Sequence, residues 1–283
     1  MFRRLLILLS VLLVVPALAG VGTAAAAPAP DYTGIVKLSN CSGSLVRLPQ
    51  SDQYDRALIL TNGHCLESGM PEPGEVLVNQ PVDRAAQLLG ADGGVLGELH
   101  ATKLVYATMT DTDIALYALD SSYREIEREL GGHPLTVAAA PANVDTPVDV
   151  VSGYFTRTWN CSIERVVYSV REGDWTWKDS IRYAPGCDTI HGTSGSPIVD
   201  SASREVVGIN NTGNDDGEVC TFNNPCEVDE NGVVFAQRGL TYGQQTYRIP
   251  ACFTPGAQLS LARNGCLLPK PATALPLPIP LPA

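Results

Sequence analysis

Short apolar runs, closed off by clusters of glycine and proline, recur between Ile35 and Ile249, and this rhythm limits the fold more than any other feature of the chain. The first set is Ile35–Leu38, Ser44–Leu48, Ala57–Thr61, Glu75–Val78, Ala85–Leu89, Leu104–Ala107 and Asp113–Ala118. The second is Val148–Tyr154, Arg165–Val170, Ser180–Tyr183, Pro197–Val199, Val206–Ile209, Val233–Ala236 and Gln245–Ile249. Each run has strand length, and sustained helical periodicity is rare. The density of short strands favours an all-β barrel or sandwich over an alternating βαβ fold. A length of 283 residues at 45% hydrophobic content supplies a core for one large or two small domains.

One segment breaks the rhythm. Ser122-x-x-Glu125 has the form of a capping box, charged residues fill Arg124 to Glu129, and Gly131-Gly132 would stop a helix. The expectation is a short surface helix in a linker over residues 121–145. That linker separates a first barrel, 30–120, from a second, 146–266. No internal sequence repeat relates the two halves.

The ends carry different signals. Arg3-Arg4 precedes the apolar run Leu5 to Val15, and small residues follow, with A-x-A sites ending at Ala19, Ala27 and Ala29. This reads as an export signal over residues 1–29, because the apolar run is well short of the ~20 residues that span a bilayer. Losing it takes the formal net charge from −11 to −13, which speaks against nucleic acid or an anionic membrane as partner. The expected product is a secreted monomer with no membrane attachment after cleavage. Residues 267–283 are rich in proline and read as a disordered tail.

All eight cysteines, Cys41, Cys65, Cys161, Cys187, Cys220, Cys226, Cys252 and Cys266, lie beyond the leader. An even number in an exported chain reads as four disulfides. Pairing of near neighbours suggests Cys161 with Cys187, Cys220 with Cys226 and Cys252 with Cys266. No spacing of cysteine and histidine suggests zinc. The acidic loop 210–232, with Asp215, Asp216, Glu218, Asp229 and Glu230, lacks the regular ligand spacing of a calcium loop. No metal or other cofactor is expected.

The chemistry centres on Gly192-Thr193-Ser194-Gly195-Ser196-Pro197. A serine between glycines can sit exposed on a tight turn, with amides free to face a developing oxyanion. All four histidines, His64, His100, His133 and His191, precede Ser194. That order excludes the α/β-hydrolase elbow, whose histidine follows the serine. Subtilisin-type enzymes place an aspartate first and a helix after the serine, where this chain has turn, strand and turn. The order that fits is His64, at the end of the run Ala57–Thr61, then Asp113, at the head of another, then Ser194. Asp111 competes with Asp113.

Thr61-Asn62-Gly63-His64-Cys65, Asp113-Ile114-Ala115-Leu116 and Gly192-Thr193-Ser194-Gly195-Ser196-Pro197 resemble the three catalytic motifs of chymotrypsin-fold serine peptidases. Cys41-Ser42-Gly43-Ser44-Leu45 resembles the segment whose cysteine bridges to the one after the histidine, which implies Cys41–Cys65. The resemblance spans roughly residues 33–253. Its Ser-Gly-Ser-Pro form is shared with bacterial glutamyl-endopeptidase-like members. It implies two antiparallel Greek-key β-barrels with the site in the cleft between them. It further implies a triad of His64, Asp113 and Ser194, an oxyanion hole from the amides of Gly192 and Ser194, and peptide or protein substrates. Asp188 falls where trypsin-like members bind Lys or Arg, whereas Thr189 and His191 could line a pocket for acidic side chains. The rival readings are an inactive homologue serving as a secreted binding module, and an esterase using the same triad.

Thr193 stands where many members carry an aspartate that pairs with a new N-terminal ammonium. A neutral hydroxyl offers no partner for a buried cation. Thr193 is therefore expected to hold its turn by neutral hydrogen bonds, with no activating cut beyond signal removal.

Overall fold

Residues 29–272 are described by the computed structural model; the proposed leader up to Pro28 and the tail beyond Ala272 lie outside them. The ring of the first sheet contains β1 (Ile35–Lys37), β2 (Ser42–Arg47), β3 (Arg56–Thr61), β4 (Val76–Leu89), β5 (Val95–Thr108) and β6 (Ile114–Ser122). They pair in the ring order β1-β2-β3-β6-β5-β4 and back to β1, all antiparallel. The second contains β7 (Pro147–Ser152), β8 (Arg157–Glu172), β9 (Trp175–Tyr183), β10 (Pro197–Asp200), β11 (Val206–Gly213) and β12 (Thr241–Gln245). Its ring runs β7-β8-β9-β12-β11-β10 and back to β7. The fold is thus two closed antiparallel barrels of one shared Greek-key topology, a repeat that the sequence does not display. Among the described residues, closure leaves no long free edge on either ring.

The unbroken apolar character of β3 and β6 has a physical cause. Leu45, Ile59 and Tyr117 belong to one buried cluster with Leu88 and Leu99, all from the first barrel. Their neighbours Val46, Leu58, Leu60 and Leu116 belong to another, with Val151, Val199, Val206 and Ile209 of the second barrel. Both faces of these strands are covered, so alternation disappears. The second barrel has its own cluster around Val148, Val150, Ile163, Ile181 and Ile198. Truncating a fully buried leucine such as Leu60 to alanine would cost about 2–5 kcal/mol.

The helix, α1, runs Tyr123–Leu130 with the reciprocal capping box Ser122–Glu125. Gly131 closes it at φ +66°, the left-handed conformation that costs glycine least. Tyr123 and Ile126 are buried in the first barrel's core, so the helix seals that barrel as well as leading out of it.

Several strand limits differ from the sequence expectation. The expected runs Glu75–Val78 and Ala85–Leu89 fall, from Val76 on, in one strand, β4, because the intervening residues pair with β5 around an irregularity between Pro81 and Arg84. The last barrel strand is Thr241–Gln245, and the segment after it is a turn leading to the one-turn helix Pro250–Cys252. Beyond it Phe253, Cys266 and Leu268 pack into the inter-barrel core, and the Pro269 carbonyl accepts the Tyr106 hydroxyl at 2.9 Å. The chain therefore returns across the first barrel before the described residues end.

Four disulfides form, Cys41–Cys65, Cys161–Cys187, Cys220–Cys226 and Cys252–Cys266. The only trio of metal-capable side chains among the described residues is Cys41, His64 and Cys65, and its two sulfurs are joined to each other. None of the described helices is long and apolar enough to cross a membrane.

Candidate active site

Strand register brings the first two functional side chains together. Thr61 pairs with Ala115, so the residues just after β3 and just before β6 lie side by side. His64 stands on the single helical turn Gly63–Cys65 that follows β3. A side chain on Gly63 would meet the Thr108 carbonyl oxygen at 2.3 Å, so only glycine lets the turn approach β5. Cys65 ties the turn to the start of β2 through Cys41.

Asp113 is fully buried and holds His64 at two points. Its Oδ2 lies 2.6 Å from His64 Nδ1, and its Oδ1 accepts the His64 main-chain N–H at 3.0 Å. The carboxylate fixes the ring's orientation and assigns the proton to Nδ1, leaving Nε2 as the base. Burial lowers the affinity of His64 for a second proton; the charge and hydrogen bond of Asp113, helped by Glu172, outweigh it and raise the His64 pKa above its ordinary value. Asp111 faces elsewhere: it pairs with Lys178 at 2.9 Å on the exposed side of the loop.

Ser194 comes from the turn before β10. Thr193, nearly fully buried, donates its hydroxyl to Ile190 O at 2.5 Å and accepts from Asn210 Nδ2 at 3.0 Å. These are the neutral bonds expected of a threonine there. Gly195, at φ +76°, has no room for a side chain, since a Cβ would lie 2.1 Å from Ser42 O and 2.3 Å from Thr61 Oγ1. The Ser194 carbonyl accepts from Ser42 N at 2.9 Å, which seats the turn on the first barrel. Gly192 adopts φ +87°. Among the described residues, neither the Gly192 nor the Ser194 amide has an acceptor.

The Ser194 hydroxyl makes a long contact of 3.4 Å with Asn211 O. It shares a cavity of about 170 Å³ with His64 rather than a direct hydrogen bond, a looseness common before substrate arrives. Asp188, Thr189 and His191 line a second cavity, of about 210 Å³, which adjoins the first along His191, Ser194, Asn211 and Thr212. Asp188 and His191 are exposed there, and His191 Nε2 is engaged by Asp215 Oδ2.

Three residues at these sites are not singled out by the sequence. Asn62, fully buried, donates Nδ2 to Asp113 O at 2.8 Å and accepts Gly195 N–H at Oδ1 at 2.6 Å, so it spans from the aspartate to the nucleophile turn. It lies inside the histidine motif, but nothing in the motif tells which way its amide points. Arg238 lies on the second cavity, with its Nε donating to Asp215 O at 2.8 Å. Glu172 ends β8 at the tip of a hairpin that reads in sequence as an ordinary turn. It is 5% exposed and accepts from Thr212 Oγ1 at 2.6 Å and Asn223 N–H at 2.8 Å. Burial pushes its carboxyl above the ordinary pKa despite those bonds and the attraction of His64.

A family model described as "Trypsin-like peptidase domain" matches residues 41–209. A comparison with curated proteins returns no match. Among solved structures, the active form of the Rv3671c protease from M. tuberculosis is similar at 15% identity and a TM-score of 0.48, over 85% of this chain and 84% of that one. The MamO protease domain from Magnetospirillum magneticum is similar at 15% identity and a TM-score of 0.44, over 74% and 91%.

Proposed function

The chain belongs to the trypsin-like peptidase domain family, and from that premise we propose that it is a secreted serine endopeptidase that works through His64, Asp113 and Ser194. The observation that carries this reading is the buried Asp113 holding the His64 ring at 2.6 Å, on a cavity that Ser194 shares.

In the proposed reaction His64 Nε2 takes the Ser194 proton as Oγ attacks the peptide carbonyl. The carbonyl oxygen gains the negative charge and is held by the free amides of Gly192 and Ser194. Asp113 stabilises the imidazolium that forms, and His64 then gives the proton to the leaving amine. Water, deprotonated by the same nitrogen, attacks the acyl-enzyme and restores Ser194. The side chain of the residue whose carbonyl is attacked enters the cavity with Asp188, Thr189 and His191. The disulfides and the leader motif support export, and the enzyme acts as a monomer on peptides or proteins.

The test is hydrolysis of a peptide library, paired with simple esters, by the wild-type chain and by Ser194→Ala. The expected result is peptide cleavage that falls about 10⁶-fold in kcat on substitution, with the melting temperature kept. Ester turnover without peptide turnover points to an esterase. A folded wild-type protein that cleaves neither points to a binding module.

A further inference from the structure

The cavity that His64 and Ser194 share has an unusual interior. Its walls include the apolar side chains of Met70, Met109, Trp175, Trp177 and Phe222, and its one acid is Glu172. Among the described residues no lysine or arginine pairs with that carboxylate. Burying an anion without a cationic partner is costly. The two hydrogen bonds it accepts leave capacity for more, since a carboxylate has about four acceptor positions. A largely apolar lining that holds one carboxylate matches a side chain with a hydrocarbon stem and a cationic tip.

Strand geometry identifies which substrate residue would reach it. Successive side chains of an extended peptide point to opposite sides. The two cavities adjoin, since His191, Ser194, Asn211 and Thr212 line both. If the residue donating the attacked carbonyl fills the cavity with Asp188, the residue before it faces the cavity with Glu172. Asn211 Nδ2, on the shared wall, is buried without a hydrogen-bond partner among the described residues. A peptide main chain laid along that wall supplies the acceptor it lacks. About 170 Å³ holds some five or six water-sized groups, enough for the five heavy atoms of a lysine side chain.

We propose that Glu172 is a specificity-determining residue that selects a lysine or arginine side chain at the substrate position immediately before the residue whose carbonyl is attacked. This rests on the peptidase reading above. The competing explanation is structural: Glu172 merely clamps Thr212 to Asn223.

The experiment compares peptides identical except at that position, carrying lysine, norleucine, alanine or glutamate. Norleucine matches the stem of lysine without its charge. For the wild-type enzyme, kcat/KM should favour lysine over norleucine by about tenfold or more, the worth of one charged hydrogen bond, with glutamate poorest. In Glu172→Gln, which can keep hydrogen bonds to both Thr212 and Asn223, the lysine-to-norleucine ratio should fall to about one. Equal rates for lysine and norleucine in the wild type would overturn the proposal without any variant. So would a preference that survives Glu172→Gln. If no peptide is cleaved and a fluorophosphonate fails to label the folded protein, the peptidase reading itself has failed, and this one with it.

Discussion

The two barrels share one strand order, yet they hold their functional side chains by different means. In the first, His64 and Asp113 flank β3 and β6, strands covered on both faces, and the register Thr61–Ala115 sets them side by side. In the second, Ser194 stands on a turn whose placement depends on polar bonds. Asn62 and Ser42 of the first barrel supply two of them, at 2.6 Å to Gly195 N and 2.9 Å to Ser194 O. Core packing positions the base and its acid; polar bonds from both barrels position the nucleophile. Substitutions at the bridge should therefore damage turnover more than stability, and substitutions around β3 and β6 should do the opposite, except at the triad itself.

After loss of the nucleophile itself, the largest expected effect tests the first-barrel half of that contrast. Asp113→Asn should lower kcat by about 10⁴-fold, the drop this change causes in well-studied serine peptidases of this type, because the wrong tautomer of His64 is favoured. Asp111→Asn should be mild, since Asp111 pairs with Lys178 at an exposed site. The reverse ranking in a steady-state assay would mean that the wrong aspartate has been placed in the triad.

Next comes the bridge. Asn62→Ala removes the link between Asp113 and the nucleophile turn. A shift of about 1 Å in a reacting group can cost about 10²-fold, so kcat should fall by that order while KM changes little. A loss confined to KM would show that Asn62 serves substrate binding instead.

The disulfides give a smaller, stability-based comparison. Cys41–Cys65 closes a separation of 24 residues and Cys220–Cys226 one of 6. The chain-entropy model assigns the longer loop about 3.5 kcal/mol and the shorter about 2 kcal/mol. Chemical denaturation of the two double-alanine variants should rank them in that order, and only loss of Cys41–Cys65 should also reduce activity, through His64.

The finest test is pH. Glu172 helps Asp113 to raise the His64 pKa. Glu172→Gln removes that contribution, so the acid limb of kcat/KM for an uncharged substrate should move to lower pH. The Glu172 pKa is itself raised in the fold. Its ionised form therefore costs stability above the folded value, and the cost vanishes below the ordinary carboxylate value. The variant should melt higher than wild type at neutral pH, with the gain shrinking as the solution is acidified through that window. An acid limb that stays in place would show that the two groups do not interact.

How far the sequence could be read follows the same divide. Barrel strands such as β2, β3 and β6 were legible because continuous apolar runs can be satisfied only by burial on both faces. The α1 cap was legible because Ser122, Glu125 and Gly131 act locally. Short-range logic also anticipated the disulfides between near neighbours. What was hidden depends on long-range geometry. Pro81 made β4 look like two pieces, although its pairing with Lys103 carries the strand across. The bridging role of Asn62 needs the 133-residue leap to Gly195. Glu172 becomes a buried acid only because the β8–β9 hairpin folds towards the first barrel, where Trp175 Nε1 donates to Pro71 O at 3.0 Å.

The most direct test of the account is where, and at what pH, a fluorophosphonate probe reacts with the full-length protein. The expected result is one adduct, on the peptide containing Ser194, forming faster as pH rises through the titration of His64 and slowed drastically by Asp113→Asn. A folded protein that takes up no probe, that carries the adduct on another residue, or that labels Ser194 equally well without Asp113 would contradict it.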